Sequence, residues 1–169
     1  MKYLNPTSIY GLAGLFLLIL IFQSAYAADY SNNISEEYLR SQFTFKAGDT
    51  LKHSECEKKS YPSCTYVWGP PHKKDEARIK YGLAPEGNKL MIVYAQARSK
   101  KDFERVLGSY KDAVKIDGLA AEAVWSKKRG QLSMITDGNL IVHVNVKDIV
   151  SSDSKNKSIT IAQDLLKKL

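Results

Sequence analysis

Two cysteines and three histidines carry most of the chemistry open to this 169-residue chain. Cys56 and Cys64 are its only cysteines, with seven residues between them. In an exported protein such a pair is favoured to oxidise, because disulfides persist outside the reducing cytosol. A disulfide here would close a short loop and pin the segment before Trp68. The alternative takes His53-x2-Cys56 and Cys64-x7-His72 as two imidazoles and two thiolates, a ligand set suited to zinc or copper. Oxidation competes for the same thiolates, the Cys64 to His72 spacing is long for a structural zinc site, and Pro70-Pro71 stiffens the approach. His53-Ser54-Glu55 with Pro62-Ser63-Cys64 has part of a zinc-deaminase signature, but no cysteine follows Cys64 to complete Pro-Cys-x-x-Cys.

Elsewhere the chemistry is sparse. His143 stands in an alternating run with Asn145 and Lys147, where an ordinary strand histidine competes with a ligand or acid-base role. Lys127-Lys128-Arg129 is a short basic cluster that, together with His143, marks a candidate partner surface. The acidic residues are scattered, with no carboxylate pair that stands out. There is no Gly-x-Ser-x-Gly elbow and no phosphate-cradling loop. The expectation is therefore a non-catalytic binding or accessory module without a cofactor. A zinc or copper protein is the alternative, and an uncharacterised periplasmic enzyme the second alternative.

The amino-terminal stretch sets the context. Lys2 precedes the apolar run Gly11–Phe22, and Ala25-Tyr26-Ala27 follows with small residues where a signal peptidase reads. Residues 1–27 read as a cleaved signal peptide and 28–169 as a single α/β domain. An N-terminal anchor in the inner membrane is the alternative, in which the apolar run stretches towards the ~20 residues of a spanning helix. With cleavage, the protein is periplasmic or secreted and has no stable membrane insertion. Removing Lys2 takes 25 basic residues to 24 against 18 acidic, a net charge of +6. The basic residues fall in scattered pairs among acids, and no aromatic–arginine pattern accompanies them, so nucleic acid is not the expected partner. A protein or other component of the cell envelope is.

The element that orders the rest runs from Leu119 to Lys147. It reads as three antiparallel strands, 119–126, 130–136 and 140–147, joined by Lys127-Lys128-Arg129-Gly130 and Asp137-Gly138-Asn139, whose residues suit the positive φ angles of tight hairpins. The last strand alternates cleanly, Leu140, Val142, Val144 and Val146 against Ile141, His143, Asn145 and Lys147. Ile141 makes the second side mixed, so a helix is expected to cover part of it. Upstream, Ser35 caps a short helix, a loop or edge segment follows from Phe43 to Asp49, and Cys64 to Trp68 reads as a strand. Residues 72–88 read ambiguously, leaning to helix. Lys89 to Ala97 is a central strand expected to be covered on both sides. Ser99 to Val114 is a helix with Phe103, Val106, Leu107, Tyr110 and Val114 on one face, and a second helix spans Ser158 to Leu169 with Ile161, Ala162, Leu165, Leu166 and Leu169 buried. Trp68 and Trp125 are expected in the core.

Cys64-Thr-Tyr66-Val-Trp68, Gly118-Leu119 followed by Ala123-Val124-Trp125, Leu132 before Asp137-Gly138-Asn139, and the terminal amphipathic helix together resemble small secreted bacterial proteins that share the PsbP-like α/β/α sandwich. The resemblance covers residues 54–169. It implies an α+β fold, an antiparallel sheet meander with helices packed on its faces, and a family whose better-understood relatives bind partner proteins without catalysing reactions. It transfers no catalytic residue. The chain departs from many such proteins in lacking a lipid-attachment cysteine.

Overall fold

The strand that alternates most cleanly in the sequence occupies the middle of the sheet. The computed structural model describes residues 29–54, 56, 61–69, 80–81, 87–148 and 153–169. Within these, the strands are β1 (Lys52–Ser54), β2 (Ser63–Trp68), β3 (Asn88–Gln96), β4 (Ala113–Lys115), β5 (Glu122–Ser126), β6 (Gln131–Ile135) and β7 (Leu140–Lys147), and the helices are α1 (Glu36–Gln42), α2 (Lys100–Leu107) and α3 (Ser154–Leu166). The strands form one sheet in the order β1-β2-β3-β7-β6-β5-β4, and every pairing is antiparallel. The fold is α+β.

Register turns strand alternation into two chemically distinct faces. Cys64, Ile92, Val144, Leu132 and Trp125 lie in one row across five strands, and all five are buried. With Tyr66, Trp68, Leu90 and Val142 they form the main core. Two helices close it. From α1 comes Leu39, and from α3 come Ile161, Ala162 and Leu165 at the spacing of one helical stripe. The hydroxyl of Ser35 accepts the Tyr38 N–H and so caps α1, and Tyr38 Oη donates to Asp164 Oδ2 at 2.8 Å, tying the two helices together. Burial, and then the carboxylate, hold the Tyr38 phenol well above its usual pKa.

The row on the opposite face runs Ser63, Val93, His143, Ser133, Val124 and Lys115. There α2 covers only one end, where Phe103 packs on Ala97, Ile135 and Ile141. The helix expected over Ile141 is present. The central strand β3 is not equally covered on its two sides: Leu90, Ile92 and Tyr94 are buried, whereas Lys89, Met91, Val93 and Ala95 are half-buried.

The longest departure from the sequence reading is at α2. Its apolar spacing continues through Tyr110 and Val114, but the helix ends at Leu107, where Gly108 and Ser109 return their N–H groups to Glu104 and Val106. Tyr110 is still buried, held by the sheet rather than by the helix, and Val114 sits on the edge strand β4 with 56% of its surface exposed. Strand pairing with β5 supplied hydrogen bonds that local periodicity does not reveal. For the same reason β1, only three residues long, has no signal in local periodicity. The first meander strand starts at Glu122 rather than Leu119, because Gly118 and Ala120 take positive φ in the preceding turn. In the next hairpin Asn139, not Gly138, adopts the left-handed conformation. Helix α3 begins four residues earlier than expected and ends before Leu169, which is 46% exposed. The expected signal peptide and most of the ambiguous stretch 72–88 lie outside the described residues. Among the described residues no helix is long and apolar enough to cross a membrane.

Candidate functional site

The site assembles on the face that α2 leaves partly open. Strands β6 and β7 place Gln131, Ser133, His143 and Asn145 on that face, because these alternate with Leu132, Met134, Val142 and Val144 of the core. His143 Nδ1 lies 2.8 Å from Ser133 Oγ and 3.0 Å from Gln131 Nε2. Gln131 Nε2 also donates to Tyr110 Oη at 2.7 Å, and Tyr110 Oη is 3.2 Å from Ser133 Oγ. Gln131 Nε2 has two hydrogens and three acceptors in range, Tyr110 Oη, His143 Nδ1 and, at 3.1 Å, Ser133 Oγ; in the tautomer that accepts from Gln131, the neutral ring carries its proton on Nε2. Burial, with the nearby Arg129 charge adding to it, lowers the His143 pKa to about 4. The imidazole is uncharged at neutral pH.

Arg129 leaves the β5–β6 hairpin and lays its guanidinium over the Tyr110 ring, 4.4 Å from the centroid, with Nη2 3.4 Å from Ser109 Oγ. The hairpin that carries it is braced from two sides. Asn145 Nδ2 donates to the carbonyls of Arg129 and Gly130 at 3.0 Å each, and the Asp112 carboxylate accepts the Lys128 N–H at 2.7 Å and the Ser126 hydroxyl at 2.8 Å. Those two bonds, the Lys128 N–H first, hold the Asp112 pKa below its usual value.

Between α2, the hairpin and β3/β7 lies an open groove of about 700 Å³. Val93, Ala95 and Ile141 form its apolar floor, Val106 one wall, and His143 and Tyr110 its polar end. Among the described residues, Arg98, Arg105 and Arg129 stand around it together with a single carboxylate, Asp102. Asp102 pairs with Arg98 at 3.5 Å and Arg105 at 3.2 Å, and also accepts the Arg98 N–H. Of the residues singled out as a partner surface, the structure brings Arg129 and His143 to this one groove; Lys127 and Lys128 are exposed on the hairpin outside its lining.

The cysteine and histidine candidates are at the other end of the sheet. Cys56 and Cys64 form a disulfide, with Cα atoms 4.2 Å apart. Oxidised in this way, the two sulfurs are not thiolates. His53 is exposed and stacks on Tyr66, its cross-strand partner, with ring centroids 4.4 Å apart. His72 lies outside the described residues. Among the described residues no group of three or more His, Cys, Asp or Glu side chains gathers as a metal site.

Tyr110, Gln131 and Ser133 did not stand out in the sequence. Strand parity alone puts Gln131 and Ser133 on the face opposite Leu132 and Met134, but the Ser133–His143 pairing depends on register across the hairpin. The arrangement joins a hydrogen-bonded polar end, an apolar floor and a guanidinium rim. Comparison with protein-family models, curated proteins and solved structures finds no match in any of the three.

Proposed function

We propose that the protein is an exported, non-catalytic binding module of the cell envelope that receives its ligand in the groove between α2 and the sheet. The observation that carries this reading is the state of the groove's polar end. Ser133, the one hydroxyl among the described residues that hydrogen-bonds the histidine, is completely buried and shared among Tyr110, Gln131 and His143. Groups satisfied by one another orient and recognise; a nucleophile has to reach substrate. A concave, mostly apolar site with a few fixed polar groups has the usual anatomy of a small-molecule pocket, and its volume falls in the usual range. The Cys56–Cys64 disulfide supports an oxidising compartment. An antiparallel sheet with helices on both faces supports the PsbP-like comparison at the level of architecture.

Native mass spectrometry of the protein recovered from its own cells tests this reading. A small molecule retained by the native chain and lost from Ala95→Trp, which fills the floor, is the expected result. A bare chain that instead shows turnover abolished by His143→Ala would overturn it.

A further inference from the structure

The groove's charge and lining narrow what it binds. Among the described residues three guanidiniums stand around it against one carboxylate, and Asp102 already serves two of them. Arg98 and Arg105 are largely solvated, their side chains 87% and 74% exposed. Arg129 differs. Its guanidinium is held by the Tyr110 ring and Ser109 Oγ and makes no ion pair with a carboxylate among the described residues. It is a preorganised cation awaiting an acceptor, and a planar guanidinium matches a carboxylate in two parallel hydrogen bonds. The neutral His143, in the tautomer that accepts from Gln131 at Nδ1, adds an Nε2 donor at the same end. Away from that end the floor offers methyl groups from Val93, Ala95 and Ile141, with nothing charged on it.

We infer that the groove binds a small amphipathic monoanion, with its carboxylate at Arg129 and its apolar body along Val93, Ala95 and Ile141. This rests on the reading of the protein as a binding module and specifies the ligand class. A neutral amphiphile would leave the Arg129 charge without an acceptor, and an ammonium head would meet repulsion from Arg129 at that end. The bound carboxylate would take the place of water on Arg129, so its contribution survives only where the apolar body excludes solvent.

The test is a two-dimensional amide NMR titration of the full chain with octanoate, 1-octanol and octylammonium in turn. Octanoate is expected to shift the amides of Val93, Ala95, Ile141 and His143, with 1-octanol at least about tenfold weaker and octylammonium weaker still, as loss of one charge-assisted hydrogen bond implies. Arg129→Gln should bring octanoate down to the affinity of 1-octanol without changing 1-octanol itself, and Lys155→Gln, on α3, should change neither. Should Arg129→Gln fail to fold, the ratio of octanoate to 1-octanol on the unaltered chain decides alone. Equal binding of octanoate and 1-octanol would sink the ligand class but leave a binding groove. Shifts spread over the surface, or none at these residues with any of the three probes, would sink both.

Discussion

His143 Nδ1 and Ser133 Oγ lie 2.8 Å apart as direct cross-strand partners on β7 and β6. The contact has the residue types of a base and a nucleophile, but its surroundings give it another role. Ser133 is wholly buried, Gln131 presents a donor to the same ring nitrogen, and Arg129 adds positive charge nearby. Each of these disfavours an imidazolium. The pair therefore fixes a neutral ring and shapes the polar end of the groove.

That neutrality makes stability depend on pH. The folded His143 pKa, about 4, lies below the ordinary value of 6.5, so the unfolded chain binds the proton more readily. Where the unfolded state binds more protons, stability rises with pH. The contribution is complete above pH 6.5 and is lost as pH falls towards 4, by on the order of 3 kcal/mol. Urea unfolding at steps across this window should show the decline, and His143→Gln should flatten it. An unchanged slope in the variant would place the titration elsewhere.

The Cys56–Cys64 bond closes a short loop beside β2. Chain entropy for a loop of this length predicts that Cys56→Ser with Cys64→Ser lowers stability by about 2–3 kcal/mol. The fold should survive, since Tyr66, Trp68, Leu90 and Ile92 still pack around the small buried side chain at position 64. Intact mass of the native chain should be two hydrogens short of the reduced mass. A full-mass chain from its native compartment, with free thiols, would refute the pairing and return His53 and both cysteines to consideration as ligands.

Much of this was legible in residue order, and what was not has a common cause. The β5–β7 meander, the amino-terminal cap of α1 and the burial of Trp68 and Trp125 follow from alternation, hairpin residues and local hydrogen bonding, all encoded within a few positions. The end of α2 and the pairing of β4 are decided by a strand more distant in sequence. Tyr110 shows how such a reading misleads: its helical spacing is real, but its burial comes from Ser133 and Gln131 on the sheet. The groove was half visible. Arg129 and His143 were singled out together, while Val93, Ala95 and Arg105 join them only through the strand order and the seating of α2.

Two glycines with similar backbone angles should respond differently to alanine. Gly130 has φ 58° and open space where a Cβ would stand, so Gly130→Ala costs only the left-handed backbone penalty, roughly 1–2 kcal/mol. Gly87, at φ 52°, would put its Cβ 2.9 Å from the Trp68 carbonyl oxygen and 3.2 Å from that of Gly69. These are backbone atoms at the start of the β2–β3 pairing, where Trp68 faces Asn88. Gly87→Ala should therefore cost about 1–3 kcal/mol more, the range for an overpacked site. Equal losses in parallel urea titrations would mean that the end of β2 gives way without resistance.

The terminal helix offers the sharpest comparison between spacing and structure. Leu165 and Leu169 are four residues apart and share one stripe by periodicity alone, but Leu165 is completely buried and Leu169 is 46% exposed beyond the end of α3. Leu165 packs in the main core with Ile161, Ala162 and the sheet residues they cover. Leu165→Ala should thus destabilise by about 2–5 kcal/mol, combining lost transfer energy with the cavity left behind. Leu169→Ala should stay within about 0.5 kcal/mol, as for a surface substitution. The measurement is denaturant unfolding of both variants at fixed m-value. Comparable losses would show that the helix continues its packing to the last residue; a small loss at Leu165 would remove α3 from the core.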